Sequence, residues 1–156
     1  MQTNSITIRE VEQKDILTLR NFIKQMASYE KRPEDMTGTE KMLEHWILDR
    51  KIATALLIEH EKEPIGYIIY YPIFGSFAAA GNVHLEDLFI KEEYRNQGIG
   101  AYVFSMLVKR IQEEGYSKIE WSCLDWNISS LGFYEKLGAT YETGRKYLEY
   151  SLQNTL

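Results

Sequence analysis

The sequence predicts an α/β protein, with an α+β mixed sheet that carries helices on both of its faces. Two amphipathic helical patterns precede three consecutive apolar strand patterns, and strands and helices alternate after them. The predicted order is β-α-α-β-β-β-α-β-α-β-β within a single domain, 1–156. Consecutive strands favour antiparallel pairing, whereas the alternating part favours a parallel pair with helices packed on the sheet.

The N-terminal third of the chain predicts one strand and two helices. Residues 5–9 alternate between polar and apolar side chains, which is typical of a short strand. Asp15 is expected to cap a helix whose apolar residues recur every three or four positions. Pro33 ends this helix, because proline disfavours helical geometry at the residue before it. Thr39 is expected to begin the second helix.

The rest of the chain predicts four strands, two helices and a closing hairpin. Strands are expected at residues 52–58, 65–71, 83–90 and 119–123, helices at 99–114 and 129–137, and the hairpin at 140–152 with its turn at Gly144. Residues 74–81 are expected to form a loop of small side chains. Gly115 and Gly138 stand where a glycine commonly follows the last turn of a helix.

Composition and charge exclude several classes of protein. The chain is 44% apolar and 26% charged, which is typical of a globular domain and not of a disordered one. Its net charge is −5, from 18 basic and 23 acidic side chains, so it lacks the basic excess of a nucleic-acid binder and leaves room for a cationic substrate. No apolar stretch approaches the roughly 20 residues of a membrane span.

Cysteine and histidine usage bears on location and on metals. Cys123 is the only cysteine, so no intrachain disulfide can form, which fits a reducing compartment. The N-terminus lacks the pattern of a signal peptide, and we therefore expect a cytoplasmic protein. The three histidines, His45, His60 and His84, lack metal-ligand spacing, so no metal is expected.

The chemically informative segment is residues 95–100, Arg-Asn-Gln-Gly-Ile-Gly, between a predicted strand and a strong predicted helix. Glycines let backbone N–H groups approach a ligand closely, and a helix N-terminus adds unpaired donors and a positive dipole end. Together they predict a phosphate or pyrophosphate site. The same pattern also occurs where a helix start binds nothing. Val103 excludes a G-x-G-x-x-G dinucleotide fingerprint, and no P-loop lysine is present.

Residues 95–100 resemble the R/Q-x-x-G-x-G/A pyrophosphate loop of the GNAT superfamily, the acetyl-CoA-dependent N-acetyltransferases, and the element order matches that fold over nearly the whole chain. Residues 28–30, 85–90, 124–127 and 133–139 resemble the diamine acetyltransferase branch, which includes spermidine/spermine and thialysine acetyltransferases. The resemblance implies acetyl-CoA as co-substrate, no metal, and direct acetyl transfer to a small primary amine. It also implies a homodimer, while the acidic net charge and the short apolar stretches predict neither nucleic acid nor membrane as a partner.

The resemblance implies a role for each matched residue. The cofactor-binding residues would be Leu88, Phe89 and Ile90 beside the pantetheine arm, Arg95, Asn96, Gln97, Gly98, Ile99, Gly100 and Ala101 in the pyrophosphate loop, and Asn127, Ser130 and Lys136 on the far side of the cofactor. Tyr134 would serve the leaving thiolate, and Glu86 would take the amine proton. The amine site would include Tyr29, Glu30, Asp87, Glu120 and Trp121.

The chemistry explains why a carboxylate is needed. An alkyl ammonium has a pKa of about 10.4, so the amine must lose a proton before it attacks a thioester. Glu86 can accept that proton directly or through one water. Alternation along the strand predicts that Glu86 faces away from Leu85 and Asp87.

The same residues could also have purely structural roles. Glu86 could be an ordinary strand-end carboxylate, and Tyr134 could be an amphipathic core residue. The neighbouring aromatic residues Tyr70, Tyr71 and Phe74 could line the substrate site, or they could only pack.

Differences between this sequence and the polyamine-specific members of the diamine acetyltransferase branch bear on the substrate. Polyamine-specific relatives carry an acidic residue and an indole in the loop before the Leu-Glu-Asp strand, whereas residues 74–80 contain neither. A short diamine or a lysine-like amino acid is therefore favoured over a long polyamine. A protein N-terminal or lysine acetyltransferase and a non-catalytic acyl-CoA-binding protein are the alternatives.

Overall fold

The computed structural model describes residues 5–152 of the chain. These residues form two compact units, of which the first ends at Ser122 and the second begins at Cys123. A single domain over residues 1–156 stays a prediction. Within the described range, no helix combines the length and the apolar character needed to cross a bilayer.

The first unit is built around a five-stranded sheet with strands in the order β1-β2-β3-β4-β5. The strands are β1 (Ile6–Glu10), β2 (Thr54–His60), β3 (Glu63–Gly75), β4 (Ala80–Ile90) and β5 (Ile119–Glu120). The first four pair antiparallel, and β4 pairs with β5 in parallel. The mixed sheet predicted from the sequence is therefore confirmed, although β5 is shorter than residues 119–123.

Helices cover both faces of this sheet. They are α1 (Ile16–Tyr29), α2 (Glu40–Leu43), which continues as a π-helical turn to Asp49, and α3 (Ile99–Glu113). On one face, Val103 and Leu107 of α3 pack against a core that contains Leu56. On the other face, Leu19 and Phe22 of α1 pack against a second core that contains Tyr67. Burial on both faces explains why four successive residues in the middle of β2, residues 55–58, are all apolar.

The two predicted helix starts have different outcomes. Thr39 begins the second helix as predicted, since its side chain accepts a hydrogen bond from the Met42 N–H at 3.2 Å. Asp15 occupies the N-cap position of α1 as predicted, but its side chain makes no capping hydrogen bond to that helix. The Arg9 guanidinium instead binds both carboxylate oxygens of Asp15, at 2.7 and 3.0 Å. This bidentate contact holds the pKa of Asp15 below its usual range.

The long hairpin of β3 and β4 replaces most of the predicted loop. Both strands run beyond their predicted ends, and only residues 76–79 form the turn between them. Phe77 in this turn is fully exposed, and Phe74 is 72% exposed. The loop predicted over residues 74–81 is therefore wrong in its bounds, because small residues such as Gly75, Ala80 and Gly81 still pair across the hairpin.

A β-bulge interrupts β4 at the residues for which chemistry is predicted. Ile69 of β3 pairs with Asp87, while the next residue, Tyr70, pairs with Leu85. Glu86 is therefore the extra residue and has no partner in the register. A bulge of this kind breaks the alternation of side chains along a strand.

The second unit contains one helix, α4 (Ile128–Lys136), followed by residues 140–152 without a strand. The predicted hairpin is therefore wrong within the described residues. Its apolar side chains stay in solvent, as shown by the exposure of Tyr147 (92%) and Leu148 (86%). A two-stranded hairpin is marginal in water without a surface to bury its apolar face, which explains why an alternating pattern alone does not make one here.

Candidate active site

Two carboxylates of β4 lie on one face of the sheet. Tyr67 and Tyr71 share a face of β3, because they are four residues apart on a strand. The Tyr67 hydroxyl donates to Asp87 Oδ2 at 2.9 Å, and the Tyr71 hydroxyl donates to Glu86 Oε2 at 3.4 Å. The prediction that Glu86 and Asp87 face opposite sides is therefore wrong, because strict alternation takes no account of the bulge.

His84 also lies on this carboxylate face, although no functional role for it was predicted from the sequence. Its Nε2 lies 3.6 Å from Glu86 Oε2, and its ring stacks on Tyr71 with 5.0 Å between centroids. His84 is also in register with Glu120 of the parallel strand β5, which places Glu120 on the same face. Glu120 itself pairs with Lys118 at 2.8 Å. The signal in the sequence was that His84 lies two residues before Glu86, a spacing that places two side chains on one face of a strand.

Burial and neighbouring negative charge raise the pKa of two carboxyl groups here, Asp87 and Glu30. Burial, with the negative charges of Glu86 and Glu30, raises the pKa of Asp87 to about 6, although the Tyr67 hydrogen bond opposes this rise. Burial also raises the pKa of Glu30, and the charge of Glu86 adds to that effect, while Arg32 acts in the opposite direction. Within residues 5–152, neither Asp87 nor Glu30 forms an ion pair. The arrangement therefore favours a positively charged ligand.

The far edge of β4 is open beside these carboxylates. In the described part of the first unit, β5 pairs only with the first half of β4. The Lys91 N–H donates to Ile65 O on the β3 side at 2.9 Å. Since backbone groups alternate along a strand, those of Phe89 point toward β3, and those of Leu88 and Ile90 point to the open edge.

The predicted pyrophosphate loop forms a backbone concavity at the start of α3. Asn96 (φ 58°) and Gly98 (φ 77°) both have left-handed conformations. A Cβ built on Gly98 would have no atom within 4 Å, so the space in front of this glycine is open. Successive N–H groups in such a turn, at the N-terminus of a helix, make an anion site. The residues present therefore fit a pyrophosphate.

Other loop residues support this shape from behind. Ile99 is 1% exposed and anchors the loop in the core, so its backbone is the part that can face a ligand. The Gln97 amide donates to Glu93 O at 2.8 Å across the turn. Gly100 and Ala101 lie in the first turn of α3, where backbone N–H groups have no helical partner.

Arg95 fastens the loop to its surroundings. Its Nε donates to Ile90 O at 2.7 Å on the open edge of β4, and its guanidinium lies over the rings of Tyr29 (4.7 Å) and Phe89 (5.4 Å). These contacts join the end of α1, the end of β4 and the loop. Because Ile90 O already accepts from Arg95, Leu88 is the better candidate for backbone contact with a ligand at this edge.

The second unit holds the other residues for which roles were predicted. Asn127 is 6% exposed and caps α4, because its side-chain oxygen accepts from the Ser130 N–H at 3.2 Å. Tyr134 is half-buried on α4, with its ring 5.1 Å from that of Phe133. Lys136 is exposed in the last turn. Their roles toward a cofactor or a thiolate stay predictions.

Several aromatic residues lie elsewhere. Trp121 packs against the core on the α3 face, with its ring 5.7 Å from Phe104, and its contact with the amine stays a prediction. Tyr70 also lies on the α3 face, where its hydroxyl donates to Glu114. Of the three candidates for a substrate wall, only Tyr71 is on the carboxylate face.

Comparisons with known proteins agree with this geometry. The acetyltransferase (GNAT) family model matches residues 17–139. Thialysine N-epsilon-acetyltransferase of Sus scrofa is 30% identical over 144 residues, 86% of this chain and 84% of that protein. L-ornithine N5-acetyltransferase of Arabidopsis thaliana is 34% identical over 74 residues, 47% of this chain and only 32% of that protein's length.

Solved structures show the same fold. A possible acetyltransferase from Clostridium difficile 630 superposes with a TM-score of 0.80 at 22% identity, over 96% of this chain and 99% of that one. An aminoglycoside acetyltransferase from a soil metagenome superposes with a TM-score of 0.78 at 16% identity, over 96% and 97% of the two chains. Since the family model covers well over half of the sequence, this chain belongs to the GNAT family of acetyltransferases.

Proposed function

We propose that this enzyme transfers the acetyl group of acetyl-CoA to a primary amine of a small cationic molecule, a short diamine or a lysine-like amino acid. The observation that carries the proposal is the carboxylate face, on which Glu86 and Asp87 lie together and the charges of Glu86 and Glu30 both act on Asp87. Burial of negative charge without a partner is costly, so this face is suited to an ammonium group.

The names of the relatives agree with this substrate class. Two of them are named for acetylation of a nitrogen of thialysine and of L-ornithine. A molecule with one amine to acetylate and a second cationic group could place each of them beside a different carboxylate of this face. The second group would bind Asp87, while the first would lie near Glu86.

The loop and the open edge of β4 are the proposed binding site for acetyl-CoA. The N–H groups of residues 96–101 would hold its pyrophosphate, and the backbone of Leu88 would bond its pantetheine arm. Acetyl-CoA supplies the thioester from which the acetyl group is transferred. The geometry that supports this assignment is the left-handed pair Asn96 and Gly98 with open space in front of Gly98.

Two side chains would move protons. Glu86 is 54% exposed and can take the proton of the substrate ammonium and release it to water. The neutral nitrogen then forms its bond to the acetyl carbon as the carbon–sulfur bond breaks, in one ternary complex. Tyr134 would donate a proton to the departing sulfur, and the second proton that the nitrogen loses as the amide forms would restore the Tyr134 hydroxyl, directly or through solvent.

A thiol-release assay tests the proposed function most directly. Purified enzyme with acetyl-CoA is offered short diamines, lysine-like amino acids, long polyamines and lysine-containing peptides. We expect the highest kcat/KM for the first two groups. A preference for peptides would replace the proposal with a protein acetyltransferase, and no thiol release with any amine would leave only an acyl-CoA-binding role.

The cofactor site has its own test in Gly98→Val. The new side chain fills the space that the pyrophosphate oxygens need, so we expect calorimetry to detect no acetyl-CoA binding. Gly115→Val is the matched control, because Gly115 is also left-handed (φ 88°) with open space around it, but follows the other end of α3. Unchanged affinity in folded Gly98→Val would eliminate this site.

Tyr134→Phe tests the proton donor. Only the hydroxyl is lost, so we expect kcat to fall by about 10²-fold while acetyl-CoA affinity is retained. Tyr141→Phe is the control within the same unit, since the Tyr141 hydroxyl binds Glu135 at 2.7 Å. Equal effects of the two variants on kcat would contradict the assignment.

We further propose a homodimer. The exposed apolar side chains of residues 140–152, among them Tyr147 and Leu148, are of the kind enriched at protein interfaces. A strictly monomeric mass by light scattering at tens of micromolar would contradict it. A cytoplasmic location stays a prediction.

A further inference from the structure

Tyr67 is a buried residue with a polar group aimed at the amine site. Its side chain is 0% exposed, and its ring lies 6.3 Å from Phe22 in a stacked arrangement and 6.0 Å from Phe89. These two neighbours fix the ring, so the hydroxyl has one available direction. That direction ends at Asp87 Oδ2, 2.9 Å away.

We propose that Tyr67 is a positioning residue for the substrate amine: its hydroxyl fixes the Asp87 carboxylate as the acceptor for the second cationic group of the substrate. This inference rests on the proposed function, because it assigns a partner to Asp87 within the same site. It extends that function to a residue which, from sequence and burial alone, is only part of the core.

The groups around Asp87 make such a hydrogen bond necessary. From β3 it meets the Tyr67 hydroxyl, and the charges of Glu86 on β4 and Glu30 after α1 also act on it. Burial and both carboxylates favour the protonated form of Asp87, and only the Tyr67 donor favours the ionised form. Burial keeps Tyr67 itself protonated, since its pKa lies far above the ordinary value.

Cations of the same region are engaged elsewhere. Arg95 lies over the rings of Tyr29 and Phe89, and Lys91 lies over the ring of Phe22 at 5.7 Å. Arg32, which acts on Glu30, pairs with Asp35 at 2.5 Å. The substrate would therefore bring the cationic partner that Asp87 lacks within the described residues, and Tyr67 would hold Asp87 in place until the substrate binds.

The test compares Tyr67→Phe with Tyr70→Phe. Both changes remove one hydroxyl from a buried tyrosine of β3 that bonds a carboxylate, and both keep the ring in its core. Tyr70 is the matched control, because its hydroxyl binds Glu114 at 2.9 Å on the opposite face. Three properties are measured in each protein: the titration of Asp87 by carboxyl NMR, the binding of 1,3-diaminopropane in the presence of CoA by calorimetry, and the pH profile of kcat/KM.

Loss of a donor to the ionised form raises the pKa of Asp87. In Tyr67→Phe we expect the Asp87 midpoint to move upward by about one pH unit, and diamine affinity to fall about tenfold at pH 5 and about twofold at pH 7. KM for the amine should rise with kcat unchanged at saturation, and the acidic limb of kcat/KM should move to higher pH. Tyr70→Phe should leave all three properties as in the wild type.

An unchanged Asp87 midpoint or an unchanged diamine affinity in folded Tyr67→Phe would overturn the inference. Equal losses in Tyr67→Phe and Tyr70→Phe would also overturn it, because they would indicate a merely structural role. The proposed function fails in a different way: a wild-type enzyme that binds the diamine but transfers no acetyl group would contradict the function and leave the role of Tyr67 in binding intact.

Discussion

The two buried tyrosines of β3 donate to carboxylates on opposite faces of the sheet, and only one of these two pairs is electrically balanced. On the α3 face, the Tyr70 hydroxyl donates to Glu114, and Arg110 Nε donates to both, at 2.9 Å to the hydroxyl and 2.8 Å to the carboxylate. Arg110 also pairs with Glu10. On the α1 face, the corresponding pair is Tyr67 with Asp87, whose charged neighbours are carboxylates.

The difference separates a structural pair from a functional one. Elsewhere in the first unit, partly buried carboxylates have arginine partners, as Asp15 and Glu59 have in Arg9. Asp87 has none within the described residues and is correspondingly destabilised in its charged form. A buried carboxylate without a cationic partner can accept a cation from a ligand, but it lowers the free energy of unfolding of the protein. Equivalent substitutions on the two faces should therefore have different effects on activity and stability.

The largest effect is expected for Glu86→Gln, the proton acceptor of the carboxylate face. We expect kcat to fall by roughly 10²-fold or more, because the substrate ammonium loses its base. The loss should shrink for amines of low pKa and at high pH, where less ammonium needs deprotonation. Glu114→Gln on the other face should leave kcat unchanged. A fully active Glu86→Gln would move the role of base to Asp87 or Glu30.

Opposite changes in stability are expected when each pair loses its charge. Folding raises the pKa of Asp87 from 3.8 to about 6, so the ionised group costs free energy above that range, and the cost disappears as the pH falls toward 4. Asp87→Asn should therefore raise the free energy of unfolding by about 2 kcal/mol at pH 8, with little gain at pH 4. Urea denaturation measures both.

Glu114→Gln should instead lower the free energy of unfolding by about 1 kcal/mol, because it weakens contacts with Tyr70 and Arg110. Destabilisation by Asp87→Asn at pH 8 would contradict the idea that Asp87 lacks a compensating partner.

The smallest effect is expected for Tyr70→Phe. Arg110 and Glu114 still bind each other without the hydroxyl, so the free energy of unfolding should fall by no more than about 1 kcal/mol. The KM for the amine should not change. A change in KM would show that the two faces are coupled. It would contradict the assignment of Tyr70 and Glu114 to a purely structural role.

Patterns of many residues were predictable from the sequence. The order of strands and helices in the first unit follows from apolar periodicity summed over whole elements, and the glycine loop follows from the conformations that only glycine adopts easily. Features that depend on a single residue could not be predicted in this way. The bulge at Glu86 reverses the predicted faces of the carboxylates, yet nothing in the alternating sequence around it marks an extra residue.

Partners distant in sequence were missed for a related reason. Tyr67 lies within an apolar run that predicts a buried strand, and its hydroxyl has a function only through Asp87, twenty residues away. Asp15 has the sequence signature of a cap, but Arg9 on the neighbouring strand offers it a stronger charged partner. Apolar alternation at residues 140–152 predicts a hairpin only if some surface is available to bury it.

Equilibrium binding of a short diamine is the sharpest test of Asp87 as an uncompensated acceptor, because it measures the affinity of the carboxylate face without requiring acetyl transfer. Calorimetry in the presence of CoA compares the wild type with Asp87→Asn and Glu114→Gln. If Asp87 is the uncompensated acceptor, Asp87→Asn weakens binding by about 10²-fold, and Glu114→Gln changes it by less than about twofold. Wild-type affinity in Asp87→Asn would contradict the account.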